Sequence, residues 1–279
     1  MTRHVFTPLA TLAIATLLSI SGAYAAGLDG LRAHRAVYDL ALDKASERSG
    51  ITGMNGRIVY EMKGSVCEGF AVRFRFLTTV QTPRKSFTTD QRSTTFESGD
   101  GLDFSFVTQS FLNGQLEREL RGSAERKAQS VDVTISKPNE LSIRLDGAIF
   151  MTAHIGKLIE AAKNEDTIFA QRVFDGSDNG DKLVDTTAII GKSKPNYAQQ
   201  DGETPEIAQT FEDEPGWPMS VSYFDTDDNT QTGEKTPIYQ VSFILHESGV
   251  SRRLKMQYED YSLNGALTGF EYLESKPCD

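Results

Sequence analysis

Apolar and polar residues alternate with a period of two along much of this chain. Phe70, Val72, Phe74 and Phe76 share one face of such a run, with Arg73 and Arg75 on the other. Successive side chains of a strand point to opposite faces, so the run predicts a half-buried strand and not an amphipathic helix. The same alternation recurs at Ile58-Tyr60-Met62, Val131-Val133-Ile135, Leu141-Ile143-Leu145, Val241-Phe243-Leu245 and Leu254-Met256-Tyr258. Between these runs stand Asn55-Gly56, Gly99-Asp100-Gly101, Asn113-Gly114, Pro138-Asn139 and Asn264-Gly265. They are read as turns, at intervals near the roughly 8 to 12 residues typical of antiparallel meanders. The pattern predicts an all-β, mainly antiparallel fold of about a dozen or more strands. Open sheets of that length curl, split or close, so a curved β-spiral, half-barrel or barrel is expected.

One stretch departs from this period. Ile155, Leu158, Ile159 and Ala162 fall at helical spacing, with Thr152 as the expected N-cap and Asn164 as the stop. This short helix is expected to fill the concave face or cover an open end of the sheet, its apolar stripe serving the core and not a membrane. The polar segment from Lys192 to Gln209, with two prolines, is expected to be a disordered excursion.

The N-terminus changes the setting. Arg3 and His4 precede an apolar run from Leu9 through Leu18 and then Ala23-Tyr24-Ala25, the layout of a cleavable signal peptide over residues 1–25. The run is shorter than the roughly 20 apolar residues a spanning helix needs, and no cysteine near the cleavage site can accept lipid. Residues 26–279 are therefore expected to form a single β-spiral domain in the periplasm. The formal charge of -10 makes nucleic acid an unsuitable partner. Arg252, Arg253 and Lys255 form a local basic cluster, read as a solvated strand face.

Cys67 and Cys278 are the two cysteines of the chain. In an oxidising compartment they are expected to pair, tying an early strand to the C-terminus. Two free thiols or an intermolecular bridge are the lesser readings. The chain-entropy model assigns so long a loop roughly 5 kcal/mol as an upper figure. The spacing is unlike Cys-x-x-Cys, which argues against redox chemistry.

Motifs for catalysis are absent: there is no nucleophile elbow, metal-binding His-Glu-x-x-His, Walker loop or dinucleotide fingerprint. His34, His154 and His246 lie in different predicted elements, each read as structural before catalytic. Asp175, Asp178 and Asp181, with Ser177 and Asn179 between them, are weak candidates for gathering oxygen ligands around calcium. The terminal Glu of an EF-hand is missing, and Asp and Asn beside Gly equally build a tight turn. The turn is preferred, with no metal or cofactor expected. Asp225, Asp227 and Asp228 are a weaker version of the same ambiguity. Trp217, the single tryptophan, lies between Gly216 and Pro218 after the acidic run Glu212-Asp213-Glu214. It is a possible partner surface, against the commoner reading of an indole covering an edge of the core.

His34-Arg35-Ala36-Val37-Tyr38-Asp39-Leu40, Val59-Tyr60-Glu61-Met62 leading to Cys67, Phe174-Asp175-Gly176-Ser177-Asp178, and the terminal Cys278 together resemble the family of the cell-envelope integrity protein EipB. The resemblance implies a periplasmic protein of Gram-negative bacteria, a β-spiral of about fourteen strands with one disulfide, and a role in keeping the envelope intact under stress. It also implies an architecture similar to the lipoprotein carriers LolA and LolB, and it transfers no catalytic residue.

The function expected is that of a non-enzymatic periplasmic factor. It would maintain the envelope by binding an envelope protein partner or a hydrophobic or lipid ligand. The alternatives are an envelope hydrolase assembling His154 or His246 with Asp and Ser from different strands, and a calcium-stabilised structural protein.

Overall fold

The computed structural model describes residues 27–177, 179–226, 235–276 and 278. The proposed leader, residues 1–25, lies outside the described residues. Eight strands come first: β1 (His34–Ala45), β2 (Gly53–Ser65), β3 (Gly69–Gln81), β4 (Ser86–Glu97), β5 (Asp103–Leu112), β6 (Gln115–Arg126), β7 (Ser130–Lys137) and β8 (Leu141–Asp146). Helix α1 (Met151–Lys163) follows, then β9 (Ile168–Val173) and β10 (Val184–Ile190). A second helix, α2 (Pro205–Thr210), precedes β11 (Gly216–Asp225), β12 (Tyr239–His246), β13 (Ser251–Tyr258) and β14 (Tyr261–Tyr272).

All fourteen strands belong to one antiparallel sheet, in the order β8-β7-β6-β5-β4-β3-β2-β1-β14-β13-β12-β11-β10-β9. The first and last strands pair at its middle, from His34 opposite Tyr272 to Ala45 opposite Tyr261. Its two edges, β8 and β9, are neighbours in sequence separated only by α1. Strand twist accumulates over so many strands and winds the sheet into the expected open spiral. The edges approach without pairing fully: Ile149 forms a parallel bridge with Val173, and Arg172 reaches Asp146 at 3.2 Å.

β3 shows how the pattern sets the fold. Phe70 is buried among α1, Met62 and Trp217, whereas Arg75 on the opposite face donates two hydrogen bonds to Asp90 of β4, at 2.9 and 2.8 Å. Asn113-Gly114 makes the predicted tight turn between β5 and β6, both residues having positive φ. Asn55-Gly56 and Asn264-Gly265 do not turn the chain, because both pairs lie inside strands. At Gly56 a Cβ would sit 2.4 Å from the carbonyl oxygen of Leu77, so the glycine serves a close strand contact.

Helix α1 lies where its spacing predicts and sinks Leu158, Ile159, Ala161 and Ala162 into a core with Trp217, Met219, Val221 and Leu245 from β11 and β12. Its cap differs from expectation. Phe150 occupies the N-cap position without a side-chain bond, and Thr152 is inside the first turn. The buried carboxylate of Glu97, at the end of β4, accepts from the Thr152 and Ala153 amides at 2.7 and 2.9 Å. The carboxyl oxygens there satisfy two of the orphan amides of the first turn.

The segment from Lys192 to Gln209 also differs from the excursion expected. Thr204 caps α2 and Pro205 opens it. Just before it, Glu203 grips Arg252 of β13 through two hydrogen bonds of 2.6 Å. Both side chains are fully buried, so Arg252 does not belong to a solvated basic face. Phe211 completes this anchor beneath the Arg252 guanidinium, whose carbon lies 5.4 Å from the ring centroid.

Candidate functional site

Two aromatic groups occupy the interior of the spiral, and they stand differently toward water. Near the start of α1, Phe104, Phe106, Phe150 and Phe174 are sealed, each at most 2% exposed. Their rings stack or meet edge to face, with Phe104 and Phe150 centroids 4.9 Å apart and Phe106 and Phe174 5.8 Å apart. The loop after β9 carries Phe174 into this cluster. Gly176, at φ 67°, lies so close to the Phe106 ring that a Cβ would come within 2.7 Å of it.

The second group runs across four strands. Tyr223 of β11 faces Tyr239 of β12, which faces Tyr258 of β13. Tyr261, at the start of β14, stacks on Tyr258. Successive centroids are 4.3, 5.9 and 4.7 Å apart, close enough for offset ring contact along the ladder. All four are only half-buried. The ladder continues the row of Trp217, Met219 and Val221 that packs on α1, so it lies on the concave face beyond the helix. Tyr60, Phe74, Phe76 and Phe87 of β2 to β4 are likewise partly buried members of the interior clusters.

These tyrosines are deep without being sealed. Burial, which disfavours a phenolate, raises the Tyr223 and Tyr60 hydroxyls well above their usual range. Burial and the neighbouring Tyr261 push Tyr258 up to about 12. At neutral pH the face is therefore an uncharged aromatic wall. It can accept a hydrophobic surface.

The histidines stay apart in role. His154 on α1 is buried beside the Thr186 hydroxyl, 3.2 Å from Nε2, and burial lowers it to about 4. The Nδ1 of His34 lies 2.7 Å from the Arg32 carbonyl oxygen. His246 is fully buried against Phe211, with centroids 4.7 Å apart. No hydrogen bond joins any of these rings to a carboxylate among the described residues.

In the acidic loop, the Asp175 carboxylate accepts from the Ser177 amide at 2.8 Å, and Gly180 N–H donates to the Ser177 carbonyl at 2.7 Å. These are turn contacts. Asp178 lies outside the described residues, as do Asp227 and Asp228. Asp181 is half-buried in the same loop and Asp225 ends β11. No group of three or more candidate ligands able to hold a metal is found among the described residues.

Cys67, in the turn between β2 and β3, is bonded to Cys278, their Cα atoms 5.8 Å apart. Trp217 is 7% exposed and packs on α1, so the flanking proline does not present it outward. What remains accessible of it lines a cleft of about 560 Å³ between the C-terminus of α1 and the end of β10. The tyrosine ladder and the Glu97 cap were not singled out by sequence reasoning. Their signals were there, in Tyr223, Tyr239, Tyr258 and Tyr261 near strand ends and in one carboxylate closing the polar strand β4, but only the strand register joins them.

Taken together, the fold and this interior define a barrel-like antiparallel β-protein with an internal helix and a concave aromatic face. The EipB-like family model matches residues 25–274, and the chain belongs to that family. It is 40% identical over 245 residues to the cell envelope integrity protein EipB of Brucella abortus, covering 87% of this chain and 84% of that protein. A crystal structure described as a beta-barrel-like protein from Brucella abortus matches with a TM-score of 0.80 and 38% identity, over 88% of this chain and 99% of that one. Among the described residues, no helix is long and apolar enough to cross a membrane.

Proposed function

We propose that this chain is a non-enzymatic periplasmic factor that maintains the integrity of the cell envelope by holding a hydrophobic or lipid ligand against its concave face. The observation that carries this reading is the tyrosine ladder, four neighbouring and uncharged rings deep in the spiral that keep contact with solvent. An apolar wall with scattered hydroxyls is the usual lining of a site for an apolar ligand. The name of the 40% identical relative supports the envelope role, and the leader-like N-terminus supports the compartment. The histidine environments weigh against the hydrolase alternative, since among the described residues no carboxylate is hydrogen-bonded to any of the three rings to orient it as a base.

Native mass spectrometry of protein taken from the periplasm under non-reducing conditions tests the reading. A bound lipid-sized mass that disappears in Tyr258→Ser is the expected result. A protein that is ligand-free in both forms removes the ligand-holding role. Replacing His34, His154 and His246 together by Gln is expected to leave envelope function intact wherever the triple variant folds, and loss of function in a folded variant would restore the hydrolase.

A further inference from the structure

The two edges of the sheet are not equally protected. Outward on β8, Arg144 is engaged by Asp132 of β7, with bonds of 2.6 and 3.1 Å. Charged edge residues of this kind discourage pairing with another chain. On β9 the outward row begins with Ile168, 66% exposed, directly opposite Ile189 of β10, 61% exposed. These two are the most exposed large apolar side chains among the described residues.

Among the described residues, no hydrogen bond engages the edge-facing backbone groups of β9 over the same stretch. Ile190 N–H donates to the Thr167 carbonyl, and antiparallel pairing alternates, so Ile168 and Ala170 direct their amides and carbonyls away from β10. Further along, the edge is closed: the Arg172 carbonyl accepts from Ile149 N–H, and Phe174 N–H donates to the Ile149 carbonyl. Thr167 to Gln171 is thus a short bare edge. The cleft floored by Trp217 opens at its start, since Thr167 and Ile190 both line it.

We propose that β9 is a docking edge for an extended segment of a protein partner, which adds as a further strand along Thr167 to Gln171. One apolar side chain of that segment lies over Ile168 and Ile189, and a second enters the Trp217 cleft. A row of unpaired amides and carbonyls at strand spacing selects a polypeptide backbone, which a lipid or glycan does not offer. A second copy of this chain fits less well. Antiparallel self-pairing about Ala170 sets Ile168 against Arg172, whose carbonyl Ile149 already occupies, and leaves the cleft empty. The proposal goes beyond the ligand-holding reading and stands on a surface separate from the tyrosine ladder.

The test uses the full folded protein and a synthetic peptide, Thr-Val-Thr-Phe-Thr-Val, as probe. The peptide is expected to slow hydrogen exchange at Ile168 and Ala170 about ten-fold or more and to shift the fluorescence of Trp217, the single tryptophan. Ile168→Lys is expected to abolish both effects with an unchanged melting temperature. Ala170→Pro, which removes an outward amide and no β9–β10 hydrogen bond, is the second variant. Unchanged exchange at these amides, protection of β8 instead, or protection that appears without peptide as the protein dimerises would each overturn the proposal. Retention of a hydrophobic ligand by Ile168→Lys, measured in parallel, separates this edge from the concave face, so either can fail alone.

Discussion

The sealed phenylalanines around α1 and the neighbouring tyrosines across β11 to β14 hold four rings each, yet only the second group touches water. Phe104 and Phe106 of β5, Phe150 at the helix entry and Phe174 of the loop after β9 close on one another. The tyrosines come from consecutive strands of one wall and stay half-buried. Aromatic content alone therefore does not locate a binding surface. Depth combined with residual exposure does, because a dry cluster has already used its surface on the protein itself.

Four experiments press on this contrast. The largest effect is expected from the disulfide that ties Cys278, beyond the end of β14, to the β2–β3 turn. Cys67→Ser should lower the unfolding midpoint by an amount equivalent to at most roughly 5 kcal/mol, and an unchanged midpoint would show that the bridge constrains nothing. Next comes Phe174→Ala, which leaves a cavity in the sealed cluster and should cost about 3–5 kcal/mol in denaturant titrations while leaving ligand retention intact in the folded fraction. Tyr258→Ser should show the reverse balance, a loss of about 1–2 kcal/mol but disappearance of the bound mass. If both variants lose ligand equally, the two clusters are one functional unit and the contrast fails.

The smallest effect is a change in pH profile. Burial pushes Glu97 up to about 7 despite its two amide bonds, so the folded state holds this proton more tightly than the unfolded chain. Its stabilising contribution is complete below the ordinary carboxylate range and is lost as pH rises through about 7. His154, lowered by burial to about 4, works the other way, its contribution being present above 6.5 and lost as pH falls through about 4. The stability of wild type relative to Glu97→Gln should therefore decline as pH rises from 6 to 8 (about one unit either side of 7). A flat difference across that range would mean that Glu97 is not shifted.

The strand pattern and the α1 stripe were legible because period two and helical spacing are local properties of the chain. The disulfide was expected from cysteine parity and compartment alone. Asn55-Gly56 and Asn264-Gly265 misled because a glycine needed for close strand packing looks, in sequence, like a glycine needed for a turn. The Lys192–Gln209 segment misled for a related reason. Its composition is polar, but Glu203 finds Arg252 and Ile207 finds a core, and both partners lie far along the chain. The tyrosine ladder is a matter of register between strands, which no single stretch of sequence states.

The pairing of β1 with β14 also has a temporal side. A chain synthesised from its N-terminus produces β1 to β8 as a meander that can zip up progressively, but β1 waits for its second neighbour until nearly the last residue has emerged. Until then β1 is itself an uncovered edge, long and flanked by apolar positions, of the sort that recruits stray strands. The closing strand is thus also the one that ends the chain's period of greatest exposure, and a truncation before Tyr261 would prolong that period indefinitely.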